Sequence, residues 1–384
     1  MQAVVISFEH LAAWSLGCYG NTWIRTPRFD RLAAHSVVFD QCYALPQAVE
    51  RYAGLSRLAA DVREDGGAAI AFRQGDGELS AALADWRQAV ARHEHALLWL
   101  QFADIASPWS APSKQLGAAW PAVCDAEALF ESLAVLMSEP PDRSVSPDGW
   151  LDAAIPQLMA GGYLDRAAIA ATPAIGRLRR IVYAAAVMGL DAKLGQVLDM
   201  VQAEADSDAL LIVTATGGDL AGPHAQLSSG CPSLIEPLVH VPLLVRTGTQ
   251  ADGTRRNALT TLEDIVPTLS ELFHVKHDAT SGARSLWPVL RDEIDEVRAE
   301  LLLGSRQLGW SLRTKDFACL CGPQMVQQDG DMPVDSEADR PRLFVKPDDA
   351  WDTLDVASQY PEVTARMLDT IQSEVGSDLH QPRP

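Results

Sequence analysis

Glu9 and His10 follow directly on the apolar run Ala3–Phe8. That run is rich in Val and Ile and reads as a buried parallel strand. The C-terminal end of such a strand is where ligands and catalytic groups collect in an open α/β sheet. A carboxylate and an imidazole at that place are the first candidates for chemistry. The alternative is a polar strand end bonded locally. His93-Glu94-His95 also has ligand residue types, but it precedes a strand and has no partner at metal-ligand spacing, so it is expected to be solvated. His274-x-x-His277 follows a helix and reads as a surface pair. Six cysteines are spread at Cys18, Cys42, Cys124, Cys231, Cys319 and Cys321 without any C-x-x-C. They form neither a zinc framework nor a disulfide scaffold. Cys319 and Cys321, two apart, share one face of a strand.

The elements that must position these residues alternate between short apolar runs and helical periodicity. Thr26-Pro27 opens a helix with a hydroxyl cap and a proline in the first turn. Val37–Tyr43, Ala68–Phe72, Ala96–Phe102 and Ala209–Thr214 read as strands, and Ala48–Val62 and Glu78–Arg92 as helices. Arg177–Glu204 reads as one long helix with Leu194, Val197, Leu198 and Val201 on its buried stripe. Residues 105–173 form an irregular insertion, with Pro140-Pro141 and Ser146-Pro147-Asp148-Gly149 as loop signals.

The chain has 384 residues, 47% of them hydrophobic, enough for a sizeable core. Its formal net charge of −20 disfavours nucleic acid and anionic membrane as partners. No apolar run is long enough to span a bilayer. The first residues enter a strand without a charged leader, so a cytoplasmic location is expected, or a periplasmic one if a leader was trimmed.

Leu16-Gly17-Cys18-Tyr19-Gly20-Asn21, Thr26-Pro27-Arg28-Phe29-Asp30-Arg31-Leu32-Ala33 and Phe39…Tyr43-Ala44 resemble, in order and spacing, the N-terminal signature of the sulfatases, a branch of the alkaline phosphatase superfamily. Downstream, Val241-Pro242-Leu243-Leu244-Val245-Arg246, Asp264-Ile265-Val266-Pro267-Thr268-Leu269 and Ser311-Leu312-Arg313-Thr314 are similar to framework segments of the same family. The resemblance implies an α/β fold with a large, mixed, mostly parallel central sheet flanked by helices over residues 1–280. A smaller α+β subdomain with antiparallel strands and a terminal helix would occupy residues 281–384.

Where the family does its chemistry, the residues differ. Two metal-binding aspartates fall at Glu9 and His10. The formylglycine-forming nucleophile falls at Gln47 or Ala48, just before Arg51, so no catalytic residue is assigned. The carboxylate and its neighbour that complete the metal cage fall at Thr216 and Gly217. The substrate-facing histidine falls at Ala106, and the sulfate-contacting lysine at Ser229. Arg51 and His224 keep positions that would touch the anion. The resemblance therefore implies a sulfatase-like pseudoenzyme without a cofactor, with a binding, regulatory or assembly role beside an active homologue or another protein partner. The alternative is an active sulfuric or phosphoric ester hydrolase in which Glu9, His10, Asp219 and His224 rebuild a site for one divalent ion, Zn or Ca.

Overall fold

The computed structural model describes residues 1–45, 53–74, 78–103, 125–136, 141–147, 149–151, 153–154, 173–202, 208–219, 234–248, 252–276, 282–322 and 340–378. In chain order its main elements are β1 (Gln2–Phe8), α1 (Pro27–Ala33), β2 (Val37–Tyr43), α2 (Ala53–Glu64), β3 (Ala68–Arg73), α3 (Leu79–Arg92), β4 (Ala96–Phe102), α4 (Pro173–Gln202), β5 (Leu210–Ala215), α5 (Glu236–Val239), β6 (Leu243–Arg246), β7 (Thr254–Thr261), α6 (Ile265–Phe273), β8 (Glu300–Ser305), β9 (Gly309–Thr314), β10 (Phe317–Cys321), β11 (Arg342–Val345) and α7 (Pro361–Asp378).

Seven strands form one sheet in the order β3-β4-β1-β5-β6-β2-β7. β3, β4, β1 and β5 run parallel, as do β2 and β7, while β6 is antiparallel to both of its neighbours. Strands β4 and β5 are buried along their whole length, and β1 from Ala3 onward. That burial on both faces explains their unbroken apolar sequences. A second sheet, β11-β10-β9-β8, is antiparallel throughout and packs its own core against α7 through Leu312, Leu343, Met367, Ile371 and Val375. Cys319 and Cys321 both enter that core, on one face as their spacing predicts. Burial pushes their thiols up, to about 12 and about 11.

Helix α4 is long and apolar enough, by length and composition, to cross a membrane over Gly176–Gln202. However, 72% of that window is buried inside the protein, and it supplies Leu178, Val182, Tyr183, Leu194 and Val197 to the main core.

The start of α1 corrects the sequence reading. Thr26 makes no capping bond to its own helix; its Oγ1 accepts the Gly17 N–H at 2.8 Å instead. The free N–H groups of Arg28 and Phe29 donate to Oδ1 of Asp191 on α4, at 2.9 and 3.0 Å. A carboxylate at a helix N-terminus meets both the orphan donors and the positive end of the dipole. Asp191→Ala is expected to cost about 1–2 kcal/mol, read as a lower urea midpoint, with Asp191→Asn recovering part of the loss.

Candidate functional site

The parallel register aligns the C-terminal ends of three strands. Phe8 stands beside Phe102 on one side and Ala215 on the other. Two further bonds carry the alignment one residue past the sheet: Glu9 N–H to Phe102 O at 2.8 Å and Thr216 N–H to Phe8 O at 2.9 Å. At that point the chain turns sharply. His10 has φ 59°, a left-handed conformation uncommon outside glycine. The turn is clamped by Tyr183, fully buried on α4. Its hydroxyl donates to the His10 carbonyl at 3.2 Å and accepts the Ala12 N–H at 3.1 Å. Trp14 stacks on Tyr183, with ring centroids 5.4 Å apart, and also meets Trp351 at 5.1 Å. Strain held by such a clamp at a strand end marks the place as a candidate site.

Glu9 faces Arg73 at the end of β3, at 3.8 Å, with side-chain exposures of 19% and 59%. Asp219 lies just past β5 and faces α4. Both of its oxygens sit on Nη2 of Arg179, at 3.1 and 3.2 Å, and the two side chains are only 12% and 17% exposed. Arg179 and Tyr183 are four apart, so one face of α4 supplies both the clamp and the counter-charge. Thr216 and Gly217 follow β5 directly, as the sequence places them, and bring no carboxylate to this end. Among the described residues, no three His, Cys, Asp or Glu side chains gather where they could hold one ion. Asp219 is held on both oxygens by Arg179, whereas Glu9 stands 3.8 Å from an exposed arginine. Gln47, Ala48, Arg51, Ala106, His224 and Ser229 lie outside the described residues.

The histidines set aside in the sequence divide. His93 is exposed and its Nδ1 lies 3.0 Å from Gly66 O. His95 is half-buried rather than solvated, because it meets α6: its ring lies 5.9 Å from Phe273 and 6.5 Å from exposed His274. His277 lies outside the described residues.

A buried charge network not foreseen in the sequence lies behind the site, where α5 meets the second sheet. Glu236 accepts from Arg313, from Lys346 at 3.1 Å and from the Tyr43 hydroxyl at 3.2 Å. Asp352 contacts Lys346 at 2.5 Å and Arg313 at 3.5 Å, and accepts the Glu236 N–H at 2.7 Å. Two cations and two carboxylates balance in a space where none of the four is more than 8% exposed. Burial pushes the Glu236 carboxyl up, but Arg313 and Lys346 outweigh it and hold the group well below the usual carboxylate range. The signal was faint, since these residues span more than a hundred positions and Arg313 read only as framework.

No family model and no curated protein matches the sequence. Solved structures do match, over nearly the whole chain. One, described in complex with its substrate D-glucosamine-2-N,6-O-disulfate, is 15% identical with a TM-score of 0.68, covering 98% of this chain and 97% of that one. The phosphonate monoester hydrolase of Agrobacterium radiobacter is 14% identical with a TM-score of 0.66, over 98% and 95%. A 2-O GAG sulfatase is 13% identical with a TM-score of 0.67, over 99% and 92%. The mixed seven-stranded sheet and the small antiparallel sheet behind it are thus the fold of the sulfatases and of the phosphonate monoester hydrolase, at an identity low enough that the likeness is one of architecture.

Proposed function

We propose that this chain is a non-hydrolytic protein on a sulfatase fold, working by binding rather than by ester cleavage. The observation that carries the reading is the Arg179–Asp219 pair. The carboxylate just past β5 is neutralised internally, and a cation would have to displace a guanidinium held on two oxygens in a largely dry place. Residues 46–51 add no Cys, Ser or Thr to attack an ester. A nucleophile and a metal each carry orders of magnitude in rate, so a pocket that lacks both would leave little turnover. Structural relatives described with a disulfated glucosamine and as a GAG sulfatase make sulfated sugars the first ligands to screen, with Arg51 and His224 as the residues to meet the anion.

Purified protein supplied with Ca²⁺, Zn²⁺ or Mg²⁺ is expected to hydrolyse 4-nitrophenyl sulfate, 4-nitrophenyl phosphate and phenyl phosphonate monoesters no faster than its Glu9→Ala variant. A thermal-shift screen with sulfated glucosamines tests the binding role. Turnover that disappears in Glu9→Ala, together with stoichiometric metal by elemental analysis, would establish the rebuilt hydrolase and overturn the proposal.

A further inference from the structure

We infer that His240 is a pH-sensitive latch on the seam between the candidate site and the second sheet. When neutral it leaves the Glu236–Arg313–Lys346–Asp352 quartet closed, and when protonated it loosens it. His240 ends α5. Its Nε2 donates to the Asp40 carbonyl at 2.9 Å, and its Nδ1 lies 3.4 Å from Glu236 Oε1. The groups around it come from every element of the seam. Glu236 lies on its own turn. Tyr43 and the Asp40 carbonyl come from β2, and Tyr19, at 5.9 Å between rings, from the loop after β1. Arg313 comes from β9, Lys346 follows β11, and Asp352 lies beyond it.

Histidine apart, these side-chain types ordinarily titrate well away from neutral pH. Burial pushes the phenols of Tyr19 and Tyr43 well up, so they stay neutral. The Asp40 carboxylate is paired with Arg255. Histidine is the side chain whose ordinary titration falls in this range. Protonating His240 adds a third cation to a buried set already balanced at two against two. Burial pushes the imidazole down from its ordinary value, and the attraction of Glu236 only partly opposes this. The sign follows: the closed seam binds the proton less well than an open one. Closure is therefore fully present above about pH 6.5 and is lost as pH falls below it, by at most about tenfold in the opening equilibrium per pH unit.

Opening there reaches the candidate site, because the seam and the site share backbone bonds. Ala13 N–H donates to His240 O at 3.1 Å, and Gly218 N–H to Leu238 O at 2.8 Å. The Trp14–Trp351 contact crosses the same boundary.

Hydrogen exchange of the full chain at pH 7.5, 6.5, 5.5 and 4.5, corrected for intrinsic exchange, tests the latch. Peptides spanning residues 234–246 and 342–356 are expected to exchange several-fold to about tenfold faster per pH unit below 6.5, while β1 and β4 do not change. In H240Q the same peptides should show no such rise. A flat wild-type profile, or an equal rise in H240Q, overturns the inference. Should H240Q fail to fold, the wild-type midpoint decides: a rise centred between pH 5.5 and 6.5 supports the latch, and one confined below pH 5 belongs to carboxylates and overturns it.

Discussion

Arg313→Met is expected to destabilise the protein by about 3–5 kcal/mol, the range for removing one partner of a buried ion pair. Arg313 is 1% exposed. Its guanidinium reaches Glu236, Asp352 at 3.5 Å and the Leu234 carbonyl at 2.9 Å, with the Tyr43 ring 4.5 Å from its charge centre. Methionine fills much of the volume but leaves two carboxylates against Lys346 as their remaining cation. Arg313→Lys should recover only part of the loss, because an ammonium cannot span three acceptors in one plane. The pH dependence follows from Glu236. Its carboxyl is depressed in the fold, so its contribution is present above the ordinary value of 4.5 and is lost as pH falls below it. In Arg313→Met that acid-sensitive part should shrink. A chemical-denaturation loss below about 1 kcal/mol would contradict the network's structural role.

Gly218→Ala is expected to cost about 3 kcal/mol, at the upper end for overpacking. A Cβ at this position would lie 2.0 Å from the Pro237 carbonyl oxygen and 3.2 Å from Cβ of Ala12. The neighbour is backbone and cannot rotate away. The loop after β5 and helix α5 must part, breaking the Gly218–Leu238 bond and dragging Asp219 from Arg179. Gly176→Ala is the control: nothing lies within 4 Å of its added carbon, and alanine in a helix gains about 0.5–1 kcal/mol over glycine. The two thermal midpoints should move in opposite directions.

The elements of the main sheet were legible because their signal is local. Ala96–Phe102 is rich in leucine and aromatic residues and Val37–Tyr43 in valine and aromatic residues, and the structure gives both the bounds the sequence does. What was illegible depends on residues far apart in the chain. Thr26 has the right chemistry to cap α1, yet a carboxylate 163 positions beyond Arg28 takes the role, and no local pattern encodes that. His95 looked solvated because it precedes a strand and has no partner at ligand spacing; α6 covers it from afar. At the candidate site, the type and place of Glu9, His10, Thr216, Gly217 and Asp219 could be read. Their partners could not. Arg179 is one of several arginines early in α4, and only the approach of that helix to the residues after β5 selects it for Asp219.

The strand order has a consequence for how the chain emerges during synthesis. β1 and β2 are consecutive in sequence, yet β5 and β6 lie between them in the sheet. Each of the first two strands leaves the ribosome without a permanent neighbour. β2 waits for pairing with residues 244–261, some two hundred positions later. Assembly from such distant pieces is slow, and Val37–Tyr43 stays without its sheet partners until those residues have emerged. Chaperone supply, more than intrinsic stability, would then limit how much of this protein a cell can accumulate.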